Sequence, residues 1–276
     1  GTFTNVVITD KLSNYAELVD ETKAPTITIQ PLTGDPISVT LQDYMADQDG
    51  RIYTGTGTFT DGSGERQTLT YTYNSGNKTF TLKFSSTYAL ENGWTYTITV
   101  KIQPTDKAYS DYAANGYGTT VGDPDTDAPG NSTSSGKPGF YSNTTADLTY
   151  DSNGVEDVKE EYPKPVIQVK LGNLTLEKQV EGLEGNDNAN DEQFTFTVTG
   201  PKTAVGYTAG GQKFVATSDD QNATASFPVT PGSKVELANL PYGTYTVTES
   251  DPASEIVSGK YYFVSKTDSA TVDLGT

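Results

Sequence analysis

The stretch QFTFTVTG, residues 193–200, decides the fold class of this chain. Phe194, Phe196 and Val198 alternate with polar residues, and side chains that alternate with a period of two lie on opposite faces of a β-strand. Similar runs recur along the chain between Gly, Asn, Asp and Pro residues; they are FTNVVIT, TLTYTY, KTFTLKF, WTYTITVKI and TYTVTE. These runs predict an all-β protein of the sandwich type.

The length of 276 residues allows two ordinary domains. In EYPKPVIQVKLGN, residues 161–173, two prolines restrict the backbone and a new alternating run begins after them. We therefore predict two β-sandwich domains, over residues 1–165 and 166–276. The Gly-, Ser-, Asp- and Pro-rich segment 117–139 is expected to be a surface loop of the first domain. A short helix is expected in PTDKAYSDYAANG, capped by its first threonine and closed by the Asn-Gly pair.

The composition excludes several classes of function. The 36 acidic and 18 basic residues give a net charge of −18, which disfavours binding to nucleic acid or to an anionic membrane surface. The chain contains no Cys and no His, which excludes disulfides, the usual zinc sites and Ser-His or Cys-His nucleophile pairs. We therefore expect no cofactor, no nucleic-acid or membrane partner, and no enzymatic activity.

Asp123, Asp125 and Asp127 have the Asp-x-Asp-x-Asp spacing of an oxygen-ligand cation site. An EF-hand loop also needs Gly at its sixth position and an acid at its twelfth, where this chain has Ala128 and Ser134. We favour a solvated acidic turn, so no metal site is predicted.

Two charged side chains are predicted to point into the core of the second domain. In NLTLEKQV, residues 173–180, Lys178 shares a strand face with the leucines. In LPYGTYTVTES, residues 240–250, Glu249 shares a face with Tyr245. A buried amine beside a buried acid forms an ion pair, or a neutral pair if the proton moves to the acid. The alternative is a lysine that snorkels from an edge strand to a surface glutamate.

A neutral Lys178 would be a nucleophile. It could attack the side-chain carbonyl carbon of a nearby Asn or Asp while the acid shuttles protons, and ammonia or water would leave. The product would be an internal isopeptide crosslink.

The motifs LTLEKQV and LPYGTYTVTE resemble those of the CnaB-type Ig-like domains of Gram-positive surface proteins and pilins, over residues 172–276. The resemblance implies that Lys178 is the bond-forming lysine and Glu249 the catalytic acid. The family's third residue, an Asn on the last strand, has no counterpart. We expect that strand to lie outside this chain and Lys178 to remain a free amine. The Asp and Asn residues that follow Glu249 are Asp251, Asp268 and Asp273.

The first domain resembles the CnaA-type domain that follows a von Willebrand factor A domain in tip pilins, over most of residues 1–170. The segments that carry the resemblance are TNVVITDKLSNYAELVD, GWTYTITVKIQP, KAYSDYAANGY, GKPGFYSNTTADLTY and YPKPVIQV. It implies that Asp10 is the proton-shuttling acid and Asn143 the isopeptide acceptor. Asn143 is out of phase with Ala146, so we expect it at the start of its strand or beside a bulge.

We expect no donor lysine for Asn143 in the first domain. Lys78 is in phase with an apolar face, but it follows the turn NSGN and is expected to be solvated. In tip pilins of this kind the donor strand precedes an inserted domain, which would lie outside this chain. Three other lysines are expected on the strand face opposite the apolar one; they are Lys11, Lys83 and Lys101.

Together the two resemblances imply tandem Ig-like (CnaA- and CnaB-type) sandwiches in the stalk of an exported adhesin or tip pilin. Its expected partners are other pilin subunits or the cell wall, joined through sortase, and a host ligand bound by a domain outside this chain. A crosslink that closes a loop of roughly 100 residues would stabilise the fold by about 4–5 kcal/mol, by analogy with a disulfide.

Two other functions remain open. A backbone pilin would use Lys164 in EYPKP as its sortase-joined residue. A carbohydrate-binding module is suggested by the 18 tyrosines, although one tryptophan gives no obvious stacking platform.

Overall fold

The computed structural model describes residues 1–117, 138–162, 165–183, 192–250, 255–256, 261–262, 266–267 and 269–275. These residues form two compact units. The first unit comprises Gly1–Ala108 and Tyr117–Gln168, and the second comprises Tyr109–Gly116 and Val169–Thr276. The sequence-based prediction of an all-β fold is confirmed in both units. The predictions for Lys164 and for the Asp123, Asp125 and Asp127 loop concern residues outside the described ranges.

The first unit consists of antiparallel strands and the start of one helix. In chain order these elements are β1 (Phe3–Leu12), β2 (Ala16–Leu18), β3 (Thr26–Gln30), β4 (Ile37–Val39), β5 (Gln42–Ala46), β6 (Ile52–Thr60), β7 (Arg66–Asn74), β8 (Thr79–Phe84), β9 (Thr95–Thr99), β10 (Ile102–Pro104), α1 (Asp106–Asn115), β11 (Phe140–Tyr141), β12 (Asn143–Ser152), β13 (Val155–Glu161) and β14 (Val166–Ile167).

The core of the first unit lies between a seven-stranded sheet, ordered β13-β12-β1-β8-β7-β6-β5, and a three-stranded sheet, ordered β4-β3-β9. Alternation places Leu69, Tyr71 and Tyr73 of β7 in this core, where they pack with Ile27 and Ile29 of β3. The threonines between them face outward, as expected for an antiparallel sheet with one solvated face. Strand β1 is central, so a side chain on its inner face is aimed at the core.

Close approach of the two sheets explains a glycine in β6. A Cβ atom at Gly57 would overlap Cγ1 of Val39 on β4. Gly57→Ala is therefore expected to destabilise the first unit by about 1–3 kcal/mol through overpacking. Urea unfolding followed by the fluorescence of Trp94, the chain's one tryptophan, measures this, because Trp94 packs against that core. The exposed neighbour variant Thr56→Ala is the control, and equal midpoints for the two variants would contradict the packing argument.

Helix α1 forms where the sequence predicted it. The N–H of Ala108 donates to Thr105 Oγ1 (3.3 Å), which caps the helix start. Gly116, with φ of 62°, closes the helix, and its N–H donates to the Tyr112 carbonyl. The described part of the chain contains no helix long and apolar enough to cross a membrane.

The second unit contains the remaining strands and one turn of 3-10 helix. In chain order these are β15 (Leu171–Glu177), β16 (Phe194–Pro201), the 3-10 turn (Lys202–Ala204), β17 (Thr208–Ala209), β18 (Gln212–Lys213), β19 (Val215–Ala216), β20 (Asn222–Val229), β21 (Lys234–Pro241), β22 (Gly243–Glu249), β23 (Glu255–Ile256), β24 (Tyr261–Tyr262) and β25 (Ser269–Leu274).

A five-stranded sheet, ordered β19-β20-β16-β22-β25, faces the two-stranded sheet of β15 and β21 in the second unit. The core of the second unit is formed by side chains on the inner faces of β16 and its neighbouring strands, together with leucines from β15 and β21. Tyr109 and Tyr112 of helix α1 also pack in this core, and the Tyr207 hydroxyl donates to the Tyr109 carbonyl (3.0 Å). Strand β25 lies at the edge of the sheet, and Val272 on it is 43% exposed.

Candidate functional site

The second unit brings Lys178 and Glu249 into contact. Strand β15 ends at Glu177, so Lys178 is the next residue and continues the face of the buried Leu174 and Leu176. Glu249 is the last residue of β22, where it pairs with Phe196 of the neighbouring strand. The Lys178 Nζ atom lies 2.9 Å from Glu249 Oε2. Since β15 and β22 belong to opposite sheets, the contact joins the two layers of the sandwich.

Both side chains of this pair are withdrawn from solvent. The lysine side chain is 14% exposed and that of Glu249 is 8% exposed. The ammonium also lies over the ring of Phe194, 4.5 Å from the ring centroid, which is a cation–π geometry. Because Glu249 is buried, the alternative of a snorkelling lysine paired with a surface glutamate is wrong.

The second carboxylate oxygen of Glu249 sets this site apart from an ordinary ion pair. Oε1 is buried and has no hydrogen-bond partner among the described residues. A buried oxygen without a donor costs free energy, because it has lost its hydration without replacement. Glu249 therefore contacts the lysine amine through Oε2, while Oε1 is in a position to accept a hydrogen bond from a third polar group.

Asp10 and Asn143 are in contact in the first unit. Asn143 Nδ2 donates a hydrogen bond to Asp10 Oδ1. Asn143 is the first residue of β12, and the pairing of β1 with β12 shifts register between Lys11 and Leu12. This irregularity turns Asn143 toward Asp10, although alternation from Ala146 would aim it away. The expected proximity, and the expected position at a strand start beside a bulge, are confirmed.

Burial raises the pKa of Asp10 from 3.8 to about 6. This pKa is the net result of burial, which is the largest cause, of the hydrogen bond from Asn143, which lowers it, and of the charge of Asp147 on β12, which raises it. Asp147 in turn lies 3.2 Å from the Lys159 ammonium. A carboxyl group with a pKa near neutrality both accepts and releases protons under physiological conditions.

Ser142 belongs to the same site and was missed in the sequence. Its hydroxyl donates to Asn143 Oδ1 and lies 3.0 Å from the Pro165 carbonyl oxygen. Adjacent residues in a regular strand face opposite ways, so alternation gives no reason to expect Ser142 and Asn143 to share a site. The sequence did contain one indication of this site, namely a serine next to an asparagine that is out of phase with its strand.

The expectation that Lys78 is solvated is wrong. Its Nζ atom donates to the carbonyl oxygens of Ser13 (2.7 Å) and Ala16 (2.9 Å). Lys78 has φ of 56°, a left-handed conformation at which strand alternation no longer predicts direction. These bonds tie the lysine to the turn that follows β1.

Strand β25 carries the one Asp after Glu249 that the structure describes. Asp273 accepts a hydrogen bond from the Thr244 hydroxyl (2.6 Å) at the exposed face, away from the Lys178 contact. The apolar face expected for β25 is largely exposed at Ala270 and Val272. Asp251 and Asp268 lie outside the described residues.

The aromatic residues of the first unit mostly build its core rather than a binding face. Trp94 and Tyr96 pack against that core, and the Tyr88 and Tyr96 hydroxyls are 2.6 Å apart. A stacking surface for sugars is therefore not favoured in the described part of this unit. Across the described ranges, no group of three or more acidic side chains is placed to hold a metal ion.

Two family models match the chain. One, described as a domain of unknown function (DUF7604), matches residues 3–168, which is more than half of the chain. The other, also described as a domain of unknown function (DUF7601), matches residues 172–273. No curated protein matches the sequence.

Proposed function

The chain belongs to the family described as a domain of unknown function, DUF7604, and we propose that it is a structural stalk segment of an exported Gram-positive cell-surface adhesin or tip pilin. In this proposal, intramolecular Lys–Asn isopeptide chemistry stabilises the stalk. The stalk is extracellular, in a pilus or anchored to the cell wall, and is joined to other pilin subunits or the wall through sortase. A domain outside this chain binds the host surface or matrix.

The observation that carries the proposal is the contact of Lys178 with Glu249, whose Oε1 atom has no partner among the described residues. The Lys178 ammonium first gives a proton to Glu249, and the neutral amine attacks the side-chain carbonyl carbon of an acceptor Asn to form a C–N bond. Protonated Glu249 then gives its proton to the departing amide nitrogen and takes one from the attacking nitrogen. The bond to the amide nitrogen breaks, and ammonia leaves. An amide N–H of the acceptor is the donor that the open Oε1 atom can bind.

The position of the pair fits a mechanical role. Lys178 follows a strand of one sheet, and Glu249 ends a strand of the opposite sheet. A covalent bond formed here keeps the layers of the sandwich together when the chain is pulled, because a bond does not separate as hydrogen bonds do. A chain with no cysteine gains in this way the restraint that a disulfide gives other exported proteins.

Mass spectrometry tests the proposal. The intact protein is expected either to lack one ammonia, with Lys178 crosslinked in its peptide map, or to carry a free Lys178 amine. In the second case, a synthetic strand peptide with a Val-x-Asn core is added, and a covalent complex that has lost ammonia is expected on a denaturing gel.

Glu249→Gln and Lys178→Arg should abolish either product, because the first removes the proton carrier and the second removes the nucleophile. Glu236→Gln is the matched control, since Glu236 is an exposed acid on β21 that accepts a hydrogen bond from Thr175. A protein of unreduced mass that also fails to couple the peptide would refute the proposal.

A further inference from the structure

The Asn143 amide is held at both ends by protein groups. Its nitrogen donates to Asp10, and its oxygen accepts from the Ser142 hydroxyl. Ser142 is 1% exposed and Asn143 is 6% exposed, so the bond between them is shielded from bulk water, and the bond to Asp10 is part-buried. The amide is thus fixed in one orientation, with an acid at the nitrogen and a hydroxyl donor at the oxygen.

The Ser142 hydroxyl is not needed to satisfy the Pro165 carbonyl. The backbone N–H of Ser142 already donates to that carbonyl oxygen (2.9 Å). A hydroxyl has one proton to donate, and since the backbone N–H already satisfies the carbonyl, that proton is available to Asn143 Oδ1. The hydroxyl therefore serves the asparagine, and the backbone bond holds Ser142 in place.

We propose that Ser142 is a further catalytic residue of the Asn143 site, which donates to the oxygen that becomes negative when a primary amine attacks Asn143. This inference rests on the proposed function, because it assigns the same isopeptide chemistry to the first unit. A hydrogen-bond donor already in position at such an oxygen stabilises the transition state without reorganisation.

The amine nitrogen forms a bond to Cγ of Asn143, and the carbonyl electron pair moves to Oδ1, which Ser142 stabilises. Asp10 removes a proton from the attacking nitrogen and passes it to Nδ2. The Cγ–Nδ2 bond then breaks, ammonia leaves, and the carbonyl re-forms as a substituted amide.

Hydroxylamine is a suitable probe, since it is small enough for a buried site and converts the amide to a hydroxamate with release of ammonia. The full chain is treated as the wild type, Ser142→Ala and Ser142→Thr, and peptide mapping follows the hydroxamate at Asn143. Ser142→Ala is expected to react about 10²-fold more slowly. Ser142→Thr keeps the hydroxyl and should react at nearly the wild-type rate. Asn239, an exposed residue of β21 that is followed by Leu240, is the internal reference and should react equally in all three proteins.

A spectroscopic measurement reads the hydrogen bond without the reaction. With ¹³C-labelled asparagine, the Cγ resonance of Asn143 should move in Ser142→Ala and return in Ser142→Thr. Unchanged Trp94 fluorescence would show that the fold is intact. If Ser142→Ala does not fold, Ser142→Cys, whose thiol is a weak donor, replaces it in both measurements.

Equal rates for the wild type and Ser142→Ala, or an unmoved Cγ resonance, would overturn the role of Ser142 and leave Asn143 as a reactive amide. Failure of the wild-type Asn143 to react would overturn the proposed chemistry in the first unit as well. Neither result bears on Lys178 coupling, which is tested separately in the second unit.

Discussion

Lys178→Met is expected to destabilise the second unit by about 3–5 kcal/mol, because it leaves a buried carboxylate without its partner. Glu249 is 8% exposed, and its Oε2 atom accepts from Lys178 at 2.9 Å. Oε1 already lacks a partner among the described residues, so the substitution would leave neither oxygen with a described donor. Trp94 lies in the first unit, so its fluorescence does not report unfolding of the second. Hydrogen exchange of the β16 amides at increasing urea concentration measures the change instead.

Two further variants separate burial from charge. Lys202 and Asp220 form an ion pair of similar length, 2.8 Å, with side chains 56% and 69% exposed. Lys202→Met is therefore expected to cost no more than about 1 kcal/mol. The double variant Lys178→Met/Glu249→Leu should recover most of the lost stability, because an apolar pair fills the site without a stranded charge. Equal losses for Lys178→Met and Lys202→Met would show that the Lys178 site is hydrated.

Strand alternation was sufficient to predict the second-unit site. It placed Lys178 in phase with buried leucines and Glu249 in phase with Tyr245, and the structure has both pairs facing inward. Alternation works there because the strand faces run without interruption up to each charged residue. The open Oε1 atom could not be predicted, since it depends on what lies opposite the carboxylate rather than on the carboxylate's own strand.

Alternation failed where the backbone leaves regular geometry. The register shift beside Leu12 turns Asn143 toward Asp10, and a left-handed residue at Lys78 redirects its side chain to two carbonyl groups. A sequence pattern gives the phase within a strand but not the position of a bulge. The pattern also predicts that helix α1 forms but not which core it packs against. The packing of Tyr109 and Tyr112 in the core of the second unit was therefore not predicted.

Each unit has, among its described residues, an acid beside a group that the proposed isopeptide chemistry would use. The second unit places an acid against an amine, and the first places an acid against an amide. Glu249 is buried and Asp10 is half-buried, which costs stability that an exposed acid would not cost. The proposed chemistry gives a reason to keep these acids, since an apolar pair could replace Lys178 and Glu249 and an Asn could replace Asp10.

Asp10 allows that cost to be measured through pH. Its pKa is about 6 in the fold and 3.8 for the ordinary group, so the folded state binds the proton more tightly than the unfolded state. The stability that protonation provides is complete below about pH 4 and is lost as the pH rises through about 6. Asp10→Asn, which keeps an oxygen to accept from Asn143, should therefore gain up to about 3 kcal/mol over the wild type at pH 7 and almost nothing at pH 4.

The comparison is made by urea unfolding with Trp94 fluorescence, and the difference between the two proteins at each pH removes the titration of all other acids. Asp49→Asn, at an exposed turn, is the control and should show no such pH-dependent gain. A variant less stable than the wild type at pH 7 would mean that the Asp10 carboxylate is stabilised by groups other than Asn143. A stabilised variant in which Asn143 no longer reacts with hydroxylamine would show that the first unit keeps an ionisable acid at the expense of stability because the acid carries the proton.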